Sequence, residues 1–175
     1  FPTRRSSDLL QDGLLKNDGI LPLKAGEQKI AFIGKFAEKP RFQGGGSSHI
    51  NSFKVESALD AVKAYTEVAY AQGYDVKEDK IDEAMVKEAV ETAKNADVAV
   101  IFAGLPDAFE SEGYDREHMG MPDCQNYLIQ EILKVQKNVV VVLHNGSPVE
   151  MPWADDVSAI LEAYLCGQAV GAAEA

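Results

Sequence analysis

Four short, unbroken apolar runs constrain this chain more than any other feature: residues 29–34 (KIAFIG), 97–104 (DVAVIFAG), 138–144 (NVVVVLH) and 158–165 (SAILEAYL). Strands that show one face to water alternate polar and apolar residues. Continuous runs like these need cover on both faces, which is the position of a strand inside a parallel sheet. A weaker run at 67–70 supplies a fifth strand. Helical spacing fills the gaps between them. Val55, Leu59 and Val62 predict a helix over 54–65, and Ala84, Met85, Ala89 and Val90 predict one over 81–95. A third opens at Pro122, whose missing N–H costs nothing at a helix start, with Asp123 favoured in the first turn. It carries Leu128, Ile129, Ile132 and Leu133, and a further helix begins at Gln168. The fold class is α/β, a mostly parallel sheet with helices on both faces and right-handed crossovers.

Charge and composition narrow the function. The 175 residues fit one domain, and 46% apolar content is enough for a real core. A net charge of −11 with no basic stripe excludes a nucleic-acid binder and argues against an anionic membrane surface. No apolar run approaches the roughly 20 residues that span a bilayer. Cys124 and Cys166 form no CxxC pair and read as free thiols, and so few cysteines lean towards the cytoplasm. Residues 1–9 (FPTRRSSDL) are aperiodic and hold two adjacent arginines. They are expected to be a non-native, adapter-derived segment, leaving 10–175 as the domain.

In open parallel sheets, function gathers beyond the carboxyl ends of the strands. Three loops leave such ends. The loop after 97–104 packs Asp107, Glu110, Glu112 and Asp115 into nine positions, beside Arg116, Phe109 and Tyr114. Glycoside hydrolysis needs two carboxyl groups flanking the scissile bond, one of them a proton donor of raised pKa. This loop has the chemistry for one of these, although a solvated acidic loop has the same composition. Its spacing is not that of an EF-hand calcium site. The loop after 29–34 holds Gln43, Gly44, Gly45, Gly46, Ser47 and Ser48. It lacks the P-loop lysine and the strand–helix placement of a phosphate cradle, so close backbone approach and a plain surface loop remain. The loop after 138–144 begins Asn145, Gly146, Ser147, Pro148, with no G-x-S-x-G elbow. His49, His118 and His144 are scattered without metal-ligand spacing. Trp153 suits core packing or sugar stacking.

Five segments in order resemble the C-terminal α/β sandwich domain of family 3 glycoside hydrolases, a β-glucosidase-containing family. They are LLKNDGILPL (14–23), RFQGGGSSHIN (41–51), ESEGYDREHMGMP (110–122), NGSPVEMPW (145–153) and AILEAYLCGQAVG (159–171). The resemblance covers nearly all the chain from Leu14. It implies a retaining β-glycosidase whose nucleophilic aspartate lies in an N-terminal barrel missing here. This domain would supply the acid/base residue, Glu112, directly before Gly113, with Glu110 as the runner-up. Asp115 and Arg116 would order the loop through an ion pair. Gln43, Gly44, Gly45, Gly46, Ser47 and Ser48 would line or support the mouth of the site. No metal and no cofactor is implied. The partners would be a β-linked glucoside or oligosaccharide and the domain's own barrel. A β-xylosidase of the same family and a stand-alone flavodoxin-like binding module are the alternatives. His49 stands where the family's loop often has arginine, and Cys166 and Val170 stand where glycine is common. The resemblance also implies six strands, of which five are visible. The sixth, with its helix, is expected beyond the C-terminal end, leaving a sheet edge open.

Overall fold

A computed structural model describes residues 13–113, 115–165, 167 and 171. Residues 1–9, Tyr114, Cys166, Val170 and the start of the helix expected at Gln168 lie outside them. In chain order the elements are β1 (Gly13–Asn17), β2 (Ile30–Ile33), α1 (Lys35–Glu38), a 3₁₀ turn (Gly46–Ser48), α2 (Ala58–Val62), β3 (Val68–Ala71), α3 (Glu83–Lys94), β4 (Val98–Gly104), α4 (Asp123–Leu133), β5 (Val139–His144) and β6 (Ala159–Glu162). They build one sheet in the order β1-β6-β5-β4-β2-β3. All neighbouring pairs are parallel except β1 with β6.

Among the described residues the sheet has six strands, one more than the five visible in the sequence, and the additional one is N-terminal. Gly13–Asn17 pairs antiparallel with β6 and covers that edge of the sheet. It escapes pattern analysis because an edge strand needs little burial: Leu14 and Leu15 are both more than half exposed. Lys16 ties it down, its Nζ donating to the carbonyls of Ala154 (3.1 Å) and Asp155 (3.0 Å).

The interior strands follow the apolar runs. Every residue of β2, β4 and β5 is buried. The step from β2 to β3 runs opposite to those from β3 to β4 and β4 to β5. Right-handed crossovers then put α2 on one face and α3 with α4 on the other. Helix α2 is shorter than its apolar spacing predicts, because Ser57 caps it by accepting from the Asp60 N–H. Helix α3 buries Val86, Ala89 and Ala93, with Met85 and Val90 half-buried and Ala84 exposed, so its buried stripe is turned only slightly from the predicted one. The first turn of α4 is capped from a distance by Asp79, which accepts from the N–H groups of Asp123 and Cys124, both at 2.9 Å. Strand β6 stops at Glu162, where the carboxylate accepts from the Tyr164 N–H and Tyr164 turns to φ +52°.

This framework aims three loops at one place. Gly104 and His144 are in register at the carboxyl ends of β4 and β5, and β2 ends beside them.

Candidate active site

Arg41 organises the three loops. Its side chain is 4% exposed and serves two acidic residues of the loop after β4. Nε donates to Asp107 Oδ1 (3.1 Å), Nη1 pairs with Glu110 Oε2, and Nη2 donates to the Glu110 carbonyl (2.8 Å). A planar guanidinium fork can satisfy three acceptors in this way, whereas a lysine ammonium has no such geometry. The third loop joins through Gly146, whose N–H donates to Glu110 Oε2 at 2.9 Å. A side chain at Gly146 would start 3.1 Å from Glu110 Oε1.

Glu110 is thus held by donors from both neighbouring loops. Burial pushes its pKa up, but hydrogen bonds from Ser147, Arg41 and the Gly146 N–H, with the Arg41 charge, outweigh burial and hold it below the ordinary 4.5. Glu112, two residues on, is exposed. One of its oxygens accepts from the Ser47 N–H at 2.6 Å. The Ser47 hydroxyl and N–H together lower its pKa. Gly46 makes this approach possible. It sits at φ +85°, and a Cβ there would lie 2.5 Å from Glu112 Cβ and 2.7 Å from Oε2. Gly45 also packs closely on Ser111, where a Cβ would lie 3.0 Å from Ser111 Cβ. The two candidate carboxylates therefore differ in kind: Glu110 is saturated with donors, and Glu112 keeps a free face to solvent.

The other candidates fall into place around this pair. Gln43 closes its own loop, accepting from the Ile50 N–H (3.0 Å) and donating to the Ile50 carbonyl (3.1 Å), with His49 Nδ1 also 3.1 Å from its Nε2. Ser47 and the backbone of Ser48 belong to the 3₁₀ turn that meets Glu112. Gly44 is half-buried between them and Gln43. Arg116 orders the acidic loop, but not through Asp115. It donates to Ser147 Oγ (2.9 Å) and the Pro148 carbonyl (2.7 Å), and among the described residues no ion pair joins it to the exposed Asp115. Trp153 is core, 1% exposed, with its indole N–H on Asn126 Oδ1 at 2.9 Å. His144 is fully buried against Phe36 and Phe102, and hydrogen-bonds to the Arg41 backbone. Behind the site, buried Glu162 accepts from Asn145 Nδ2, and its pKa is raised by burial.

Sequence reading nominates none of Arg41, Gly146 and Ser147 as a site residue, and names Asp107 only among the four carboxylates of its loop. One signal was available: beyond residue 9 the chain has thirteen lysines and only two arginines, Arg41 and Arg116, and both lie here.

Three comparisons bear on this geometry. A family profile described as "Glycosyl hydrolase family 3 C-terminal domain" matches residues 14–175. Thermostable beta-glucosidase B of Acetivibrio thermocellus is 52% identical over 165 residues, 91% of this chain and 22% of that protein. An exo-alpha-(1->6)-L-arabinopyranosidase of Bifidobacterium longum is 48% identical over 171 residues, 91% of this chain and 23% of that protein. The crystal structure of a Bifidobacterium adolescentis GH3 beta-glucosidase superposes with a TM-score of 0.90 at 48% identity, covering 96% of this chain and 25% of that one. The chain thus spans about a quarter of the length of these three proteins. It belongs to glycoside hydrolase family 3, as a C-terminal domain of that family.

Proposed function

We propose that this domain supplies the acid/base carboxylate of a retaining β-glycosidase of the β-glucosidase type. The nucleophilic aspartate would be carried by a separate N-terminal barrel domain. Glu112 is the proton donor. It protonates the glycosidic oxygen as the aspartate attacks the anomeric carbon. It then takes a proton from the water that releases the sugar with retained configuration. The observation that carries this choice is the contrast between Glu110 and Glu112. Glu110 spends its acceptor capacity on Arg41, Gly146 and Ser147, whereas Glu112 is exposed where the loops after β2 and β4 meet.

In this chain alone both carboxyls are lowered, the wrong direction for a donor. A second carboxylate about 5 Å away, with desolvation by a docked domain, would raise Glu112. Ile50, Phe53, Met119 and Tyr164 are exposed at the same end of the sheet and support docking there. A β-linked glucoside or oligosaccharide is the substrate in this reading. The Bifidobacterium longum relative favours a second reading, an α-L-arabinopyranosidase. Paired assays on nitrophenyl β-D-glucopyranoside and α-L-arabinopyranoside separate the two.

The test uses the full-length protein. Glu112→Ala with azide present should yield the β-glycosyl azide from a dinitrophenyl glycoside, and Glu110→Ala should not. The opposite result removes Glu112 from the role. The isolated 175-residue chain should turn over no aryl β-glucoside; turnover that Glu112→Gln abolishes would refute the division between two domains.

A further inference from the structure

We propose that Arg41 is a positioning residue for the acid/base step, because one buried guanidinium grips both Asp107 and Glu110 from the foot of the loop that touches Glu112. The inference rests on the assignment of Glu112 as proton donor. Glu112 is mounted at two points. One is the Ser47 N–H, six residues after Arg41 in the same loop. The other is its own backbone, two residues after Glu110, where Arg41 holds both the side chain and the carbonyl. The fork therefore fixes the spacing between the two loops whose contact sets the Glu112 carboxylate. Gly46 and Gly45 leave no slack in that contact, with Cβ positions 2.5 Å from Glu112 Cβ and 3.0 Å from Ser111 Cβ. The guanidinium needs all three of its contacts to do this. A lysine would keep the charge and lose the fork.

The experiment uses the full-length glycosidase with two substrates. Phenyl β-glucoside has a poor leaving group that needs a proton. Dinitrophenyl β-glucoside has a leaving group that departs without one. Misplacing a catalytic group by about an ångström costs on the order of 100-fold. Arg41→Lys should lower kcat on phenyl β-glucoside by roughly 10- to 100-fold, with KM within about twofold, while kcat/KM on dinitrophenyl β-glucoside stays near wild type. Asp107→Ala removes one exposed arm of the fork without threatening the fold, and should give a smaller loss of the same selective kind. A purely structural role would lower both substrates together, through less folded enzyme. That result, or an unchanged ratio in both variants, overturns the proposal. Glu112→Gln is measured alongside. If it changes the substrate ratio and the Arg41 and Asp107 variants do not, only the positioning role falls. If Glu112→Gln leaves the ratio unchanged, the donor assignment falls and the positioning role with it.

Discussion

Acid should loosen this domain through one buried imidazole. His144 ends β5 with no exposed surface, its ring 5.4 Å from that of Phe36 and 6.3 Å from that of Phe102. Burial pulls its pKa from 6.5 down to about 4; the hydrogen bond with the Arg41 backbone opposes this, and the Arg41 charge adds to it. The sign follows from linkage. Above pH 6.5 the ring is neutral in both states and the effect is nil. As pH falls below 6.5 the unfolded chain takes up a proton that the folded chain refuses until about pH 4. Stability therefore drops by about 1.4 kcal/mol per pH unit across that window, roughly 3 kcal/mol in all. Glu162, whose folded pKa is raised, works the other way. Glu110, whose pKa is lowered, adds its loss at more acid pH. His144→Gln cancels these shared contributions. The assay is urea unfolding at micromolar concentration, followed by the fluorescence of the single, buried tryptophan, Trp153. Between about pH 6.5 and pH 5 the wild type should lose roughly 2 kcal/mol more than the variant. The variant's constant offset is immaterial; only the difference in slope counts. Parallel curves, or a His144 imidazole that titrates near 6.5 by NMR in the folded chain, would refute the reasoning.

Three further outcomes follow from packing and caps. Leu128→Ala empties a fully buried position on α4 and should cost about 2–5 kcal/mol in urea unfolding with an unchanged m-value. Asp79→Ala leaves the N–H groups of Asp123 and Cys124 without their acceptor and should cost about 1 kcal/mol in the same assay. Gly46→Ala places a methyl at φ +85° against Glu112. It should destabilise by about 1 kcal/mol and shift the Glu112 carboxyl resonance in a pH titration of the folded chain, and an unmoved resonance would separate the two loops.

The fold was legible where burial on both faces writes itself into composition. Strands β2, β4 and β5 are the apolar runs shortened by at most two residues, because every side chain in them is covered. It was illegible where one face suffices. Strand β1 exposes Leu14 and Leu15 and is defined by its pairing with β6, nearly 150 residues away, which no local pattern records. Helix α3 was found but slightly rotated, since its buried stripe is set by packing against α4 and the sheet. The acidic loop was likewise visible and its wiring was not. Arg41 meets Asp107 and Glu110 from 66 and 69 positions away, and the expected neighbour pair of Asp115 with Arg116 does not form.

In the proposed reading, that wiring is what gives two glutamates of one short loop different tasks. In isolation Glu110 and Glu112 are the same residue, two positions apart. The environment separates them: β5 presents the Gly146 N–H to the first, and the loop after β2 presents Arg41 to the first and Ser47 to the second. A carboxylate saturated by a guanidinium and backbone donors resists protonation and makes a poor acid, but it anchors a loop well. A carboxylate held only by the Ser47 N–H and hydroxyl, with an open face, has its pKa reset by whatever docks against it. Under the proposed assignment this domain fixes where Glu112 stands and a docked barrel sets its protonation, so the lowered pKa of Glu112 in this chain alone does not conflict with its proposed role as proton donor.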